Sequence, residues 1–450
     1  DVEIWHPHAY RSDLGGMVNN SAQSTGLETY VPTTSSAVYL PRVGHHIYNG
    51  NAWVNEGVLH ESEARTNLCN HSDNPANWLS NPSGSFTFTA AQAVGSDGTL
   101  SLTKVAIGNT STTPHEIYTT YSSINPSLGM TLSAELKNGN QRYVMLRQYI
   151  DANDWFAVTF DLVTGVVTQE SVGSTGSVSI RSSGVIDLAN GLYRCWVSYI
   201  GIGNTSAAGF PTIDAVPSGT PTLASNGTES YSGTVGTHFY LGKMQLEQGA
   251  TPSSYIPTSG SAATRAAETL TVPAANLPYN STNMSIQIDG KITYADQDEF
   301  TAHQFMRWRA SGSDFISIVG GTNTGDGLRV LFQQVAGGVN DTIPTGVVYN
   351  EGILVPFNLS SRHGSTFVNG AVDGTALTAD TTVTALPDLS STDLNLGYDF
   401  MGTIAQFRMW DEDLTDAGIV EATEPSTEPS LQLTFDGSST NSFTVLDWSE

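Results

Sequence analysis

Residues 142–150 read RYVMLRQYI, and residues 154–169 read DWFAVTFDLVTGVVTQ. Apolar and polar side chains alternate strictly through both, and the short IDAND segment between them supplies a turn. A period of two puts successive side chains on opposite faces of a strand, so the pair predicts an antiparallel hairpin with one face buried. Val144, Leu146, Phe156, Val158, Phe160 and Leu162 fall on the core side. The same pattern recurs in NGLYRCWVSYIG at 190–201, which adds Cys195 and Val197 to that core. SIQIDGKITY (285–294), SGSDFISIVG (311–320), LRVLFQQV (328–335) and STFVNGAV (365–372) continue it. Helical periodicity is nearly absent, and LTDAGIVEAT at 414–423 is the best candidate. The fold class is therefore all-β, with strand lengths and spacings that suit antiparallel sandwiches and jelly rolls.

Composition sets the outer limits. At 450 residues the chain is too long for one ordinary core. Charged residues make up only 13%, glycine numbers 44, and the formal net charge is −26. Such a charge repels phosphate backbones, so nucleic acid is not an expected partner. No apolar run approaches the roughly 20 residues of a spanning helix, so membrane insertion through helices is not expected either. The first residues, DVEIWHPHAY, carry neither an initiator Met nor a signal-like apolar core, so a processed chain or a start inside a longer protein is expected. Cys69 and Cys195 sit in strand-like surroundings and are read as buried free thiols.

A repeated phrase marks the boundaries. Tyr255-Ile256-Pro257-Thr258-Ser259 matches Tyr30-Val31-Pro32-Thr33-Thr34, with Ser261-Ala262 over Ser36-Ala37. The second copy follows the strand-like FYLGKMQLEQGA and precedes a new series of strands, so it reads as a module terminator: a stiff proline exit and then a flexible step. The expected organisation is an extended arm over 1–62, one sandwich over 63–262 and another over 263–450.

Three stretches carry a family resemblance. LPRVGHHIYNGNAWVNEGVLHESEARTNL (40–68) resembles the entry segment of a class of bacteriophage virion proteins. TLSAELKNGNQRYVMLRQYI, FDLVTGVV, NGLYRCWVSY and YLGKMQLEQGATPSSYIPTSG resemble their carbohydrate-binding-module-like jelly rolls. FVNGAVDGT and LNLGYDFMGTIAQFRMWDEDLTDAGI resemble a concanavalin A-like, laminin-G-type lectin sandwich. The resemblance implies a fibre or spike on the virion surface that adheres to host surface polysaccharide. The arm shows little alternation and is expected to order only against other virion proteins, and outward rings on modules that gain by avidity predict a homotrimer through the arm or the first jelly roll. Two alternatives stay open: a purely architectural decoration or fibre-shaft subunit, and the non-catalytic binding region of a polysaccharide-degrading enzyme.

Candidate site residues come from the polar side of the hairpin. Tyr143, Arg147, Tyr149, Trp155, Arg194 and Trp196 lie opposite the core set. Four aromatic rings and two arginines suit sugar recognition, because pyranose C–H faces stack on rings while guanidinium groups donate to hydroxyls. The alternative is that loops or another subunit cover these rings and make them a second layer of core. Asp296, Asp298 and Asp314, with Glu299 and Asp326 nearby, form a candidate calcium set of hard oxygen ligands at a sandwich rim; otherwise they are solvated turn acids. Catalysis is not expected. Asp154 and Asp161 fall on opposite faces, Asp289 stands alone in its strand, and the adjacent pairs His45-His46 and His115-Glu116 point apart.

Overall fold

The computed structural model describes residues 45–48, 53–119, 129–149, 153–174, 177–201, 210–295, 302–322, 327–423 and 431–434. The repeated phrase's first copy and residues 1–44 of the expected arm lie outside them. The chain divides into two compact units, changing from one to the other at Ala64/Arg65 and again at Arg265/Ala266.

The N-terminal unit is a sandwich of two six-stranded sheets. One sheet runs, in spatial order, Val166–Val172, Trp155–Asp161, Tyr143–Tyr149, Phe210–Val216, His115–Tyr118, Leu79–Asn81. The other runs Val178–Asp187, Leu192–Gly201, Met130–Asn138, His238–Gln248, Leu100–Ile107, Phe86–Val94. The predicted hairpin is present, with Val144 opposite Phe160 and Leu146 opposite Val158. All eight residues assigned to the core side, Cys195 and Val197 among them, join one buried cluster between the sheets. Each large side chain so buried contributes about 1.5–3 kcal/mol, enough for alternation alone to fix which face turns inward. Both cysteines are free and buried, and burial pushes their thiol pKa values up.

The Tyr-Ile-Pro-Thr phrase clamps this unit shut. Ile256 N donates to Gln245 Oε1 at 2.7 Å, Asn67 Nδ2 donates to Ile256 O at 2.8 Å, and Thr258 N donates to Ser72 Oγ at 2.9 Å. Ile256 and Thr258 are buried. The stiff exit is thus a fastener between the unit's first and last segments, and the chain leaves through Ala263–Arg265, paired antiparallel with Arg65–Asn67.

The C-terminal unit is likewise a sandwich. Its six-stranded sheet runs Leu270–Val272, Leu394–Tyr398, Ala302–Arg309, Phe315–Thr322, Leu328–Ala336, Val339–Tyr349. Its seven-stranded partner is built around Gly352–Gly364, Asn283–Tyr294 and Met401–Trp410. Val58–Glu61, placed in the arm by its sequence, pairs with Met401–Trp410 here and is a strand of this unit. The four-residue run is too short to show a period, so only its partner reveals it. The expected helix is Thr415–Glu421. It rests on the outer face of the seven-stranded sheet, where Arg362 Nε donates to Asp413 at 2.8 Å and Arg362 Nη1 to Asp416 at 2.6 Å.

Candidate functional site

The outer face of the Tyr143–Tyr149 sheet carries a buried arginine between two acids beside exposed rings. Register sets Tyr149 between Trp155 and Phe210, Arg147 between Ala157 and Thr212, and Met145 between Thr159 and Asp214. Next in line, Thr212 faces Tyr118 and Asp214 faces Glu116. Arg147 is buried and binds both acids: its Nε donates to Asp214 Oδ2 at 3.0 Å and its Nη2 to Glu116 Oε2. Glu116 also accepts from Asn81 Nδ2. Two carboxylates around one guanidinium leave an excess negative charge in a dry place. Burial, reinforced by Glu116 and opposed by Arg147, pushes the Asp214 pKa up to about 7.

A strap over residues 221–229 roofs one half of this face. Trp155 is only 6% exposed; its Nε1 donates to Ser225 O at 2.7 Å, and Arg147 Nη1 reaches Asn226 O at 3.4 Å. Gly227, at φ +79°, lies flat on the indole, and a Cβ there would come within 2.6 Å of ring carbons. Beneath the strap, Met145, Trp155, Ala157 and Val216, with Tyr143 and Leu223 against them, form a small second core.

The other half of the face is open. Phe210 is 40% exposed and Tyr118 half-buried, their rings 5.0 Å apart and inclined at 51°. Half-buried Tyr149 stands beside Phe210, and Leu79, directly opposite Tyr118, is 53% exposed. An aromatic strip thus borders a rigid, hydrogen-bonded polar floor.

Comparison with known proteins gives partial likenesses. No protein-family model matches the sequence, and no curated protein matches it either. Full-length tailspike protein 2 from Escherichia coli O157:H7 bacteriophage CAB120 is similar at 10% identity and a TM-score of 0.29. That match covers 36% of this chain and 24% of the tailspike, so this chain spans about a quarter of the tailspike's length. The CBM40 of the Ruminococcus gnavus IT-sialidase, solved with α2,3-sialyllactose, is similar at 13% identity and a TM-score of 0.26 over 32% of this chain and 83% of that one. The SAP-like pentraxin of Limulus polyphemus is similar at 9% identity and a TM-score of 0.24, over 32% and 72% of the two chains.

The six residues read from the sequence as one sugar-facing surface do not share a face. Tyr143, Arg147, Tyr149 and Trp155 do, but Arg194 and Trp196 belong to the opposite sheet and point out of the other side of the sandwich. Arg194 Nη1 donates to Ser253 O at 2.6 Å and Nη2 to Ser133 Oγ at 2.9 Å, while Trp196 is buried against Gly184. Strand alternation gives the face within a strand; it says nothing of which sheet the strand joins. Trp155 and Arg147 are likewise not exposed platforms, because the strap and the two acids enclose them. The open rings, Phe210 and Tyr118, were missed: each sits at a strand end where no alternating run is long enough to signal a face.

Of the calcium candidates, Asp296, Asp298, Glu299 and Asp326 lie outside the described residues. Asp314 spends its carboxylate on turn groups, accepting from Ser311 Oγ of its own turn at 3.1 Å and from Gly337 N of the turn between Leu328–Ala336 and Val339–Tyr349 at 2.9 Å. No group of three or more His, Cys, Asp or Glu converges as a metal site among the described residues. Among them, too, no helix is long and apolar enough to cross a membrane. His115 and Glu116 do point apart: the His115 ring meets Phe86 and Tyr231, while Glu116 joins Arg147 on the other face.

Proposed function

We propose that this chain is a non-catalytic adhesin of a virion surface, a fibre or spike component that holds glycan on the open half of the N-terminal sheet face. The carrying observation is the tilted Tyr118–Phe210 pair with Tyr149 beside it, next to a floor where Arg147 is locked by Glu116 and Asp214. Exposed rings accept pyranose faces, and a fixed polar floor limits which hydroxyl patterns fit. The same pair of acids argues for scaffolding over acid–base chemistry, since both are buried and share one guanidinium. The tailspike, the sialidase module with its bound sialyllactose, and the resemblance of residues 40–68 to virion entry segments accord with this reading. Homotrimerisation belongs to it, because weak sugar sites gain avidity by repetition.

The test is Phe210→Ala in the full chain, applied to a glycan array alongside the unchanged protein. The expected result is an unaltered melt and loss of the array signal. An unchanged signal, or a parent protein silent on every glycan, refutes the assignment. Light scattering that shows a monomer at micromolar concentration removes the trimer from the proposal.

A further inference from the structure

The C-terminal unit has its own open sheet face, and its chemistry differs. Register across the six-stranded sheet places Thr271, Asn395, Arg307, Ser317, Gln333 and Thr342 in one row, each opposite the next. All six are polar, and they span six strands, about 24 Å at the usual spacing. Their strand neighbours Val272, Leu394, Trp308, Ile316, Phe332 and Ile343 are the core, so the row points away from it. The row's members are half-buried apart from the small Ser317, which is covered by its neighbours.

Arginines on this face are held by rings. Arg307 lies over Tyr398 at 4.8 Å, and Arg309, two residues along on the same side, lies over Phe315 at 5.4 Å. Tyr398 is 46% exposed. A guanidinium stacked on a ring is fixed in orientation, yet its N–H edge stays available. Elsewhere Arg142, Arg147 and Arg362 have carboxylates within 3.0 Å, whereas Arg307 and Arg309 pair with no carboxylate among the described residues. Among the described residues, Arg309 Nε donates to Ser311 O at 2.9 Å. Asp399, beside Tyr398, is close enough to feel the charge of Arg307. The chain has 17 Lys and Arg against 43 Asp and Glu, so basic groups left open to an outside partner are scarce and their placement is informative.

We propose that this row is a second binding face, for a linear anionic polysaccharide lying across the strands. Its carboxylates or sulfates meet Arg307 and Arg309, a sugar ring lies against Tyr398, and hydroxyls meet Asn395 and Gln333. Length favours a chain over a single sugar, because the row runs the full width of the sheet. Charge favours an acidic chain over a neutral one. The net charge of −26 opposes approach at low salt, but near 0.15 M ionic strength charges beyond about 8 Å are screened and the local arginines decide. The proposal does not depend on the N-terminal site.

Affinity electrophoresis of the full chain tests it, with polygalacturonate, alginate or dextran sulfate in the gel. Neutral dextran and duplex DNA serve as controls. Retardation by at least one acidic polysaccharide and by neither control is expected. The double substitution Arg307→Gln with Arg309→Gln should then weaken binding roughly tenfold, as expected for lost charge-assisted hydrogen bonds. Tyr398→Ala should weaken it too, with melts unchanged, while Phe210→Ala leaves it intact and so separates this face from the N-terminal one. No retardation by any of the three polysaccharides overturns the proposal. So do equal retardation by DNA and undiminished binding by the double variant.

Discussion

Two outer sheet faces in this protein carry arginine beside aromatic rings, and they do opposite things with them. In the N-terminal unit Arg147 is roofed by the 221–229 strap and held by Glu116 and Asp214. In the C-terminal unit Arg307 and Arg309 rest on Tyr398 and Phe315 and pair with no carboxylate among the described residues. The residue types are the same and the local strand patterns are the same. What differs is whether a loop crosses the face and whether acids come with it. A cation under a roof must be neutralised, since an isolated buried charge is prohibitively costly; a cation in the open need not be.

The two faces should differ most at their arginines. Arg147→Met leaves two buried acids facing each other and is expected to cost about 3–5 kcal/mol in chemical unfolding of the N-terminal unit. Trp155→Ala, which empties the second core beneath the strap, should cost a similar amount, about 3–5 kcal/mol. If both variants melt like the parent, the strap does not enclose this face.

A smaller effect is expected from the roof itself. Gly227→Ala adds a Cβ against the indole at a positive φ, and about 1–3 kcal/mol of destabilisation follows. Thermal melts that match the parent would show the strap free to lift.

pH sharpens the contrast without removing any atom. The folded-state pKa of Asp214, about 7, lies above the ordinary 3.8, so the folded protein retains a proton that the unfolded chain releases between those values. This contribution is complete below 3.8 and is lost as pH rises through 7. Asp161 acts in the opposite sense: Arg142 holds its pKa down at about 2, and the resulting contribution is lost as pH falls towards that value. Melts from pH 4 to 8 should therefore show a decline assigned to Asp214 that Asp214→Asn abolishes. A slope unchanged in that variant would contradict the assignment.

The smallest effects belong to the open groups. Arg307→Met and Phe210→Ala should alter stability by no more than about 0.5 kcal/mol, as surface changes do. A large loss from Arg307→Met would mean that the C-terminal face is as closed as the N-terminal one.

Strand alternation, read along the chain, determined a good deal here. It placed Val144, Leu146, Phe156, Val158, Phe160, Leu162, Cys195 and Val197 in one core, because a period of two allows only one burial pattern. Helical periodicity, in its one good stretch, located the helix over Thr415–Glu421 within LTDAGIVEAT. The second copy of the repeated phrase, read from the sequence as a module terminator, acts as a fastener, since its backbone groups tie Ser72, Gln245 and Asn67 together. Tertiary structure alone decided the rest. Sheet membership set Arg194 and Trp196 apart from Arg147, a pairing partner made a strand of Val58–Glu61, and the 221–229 strap turned Trp155 from a surface ring into core. Each depends on contacts between residues far apart in sequence, and periodicity reports only which way a side chain points, never what waits there to meet it.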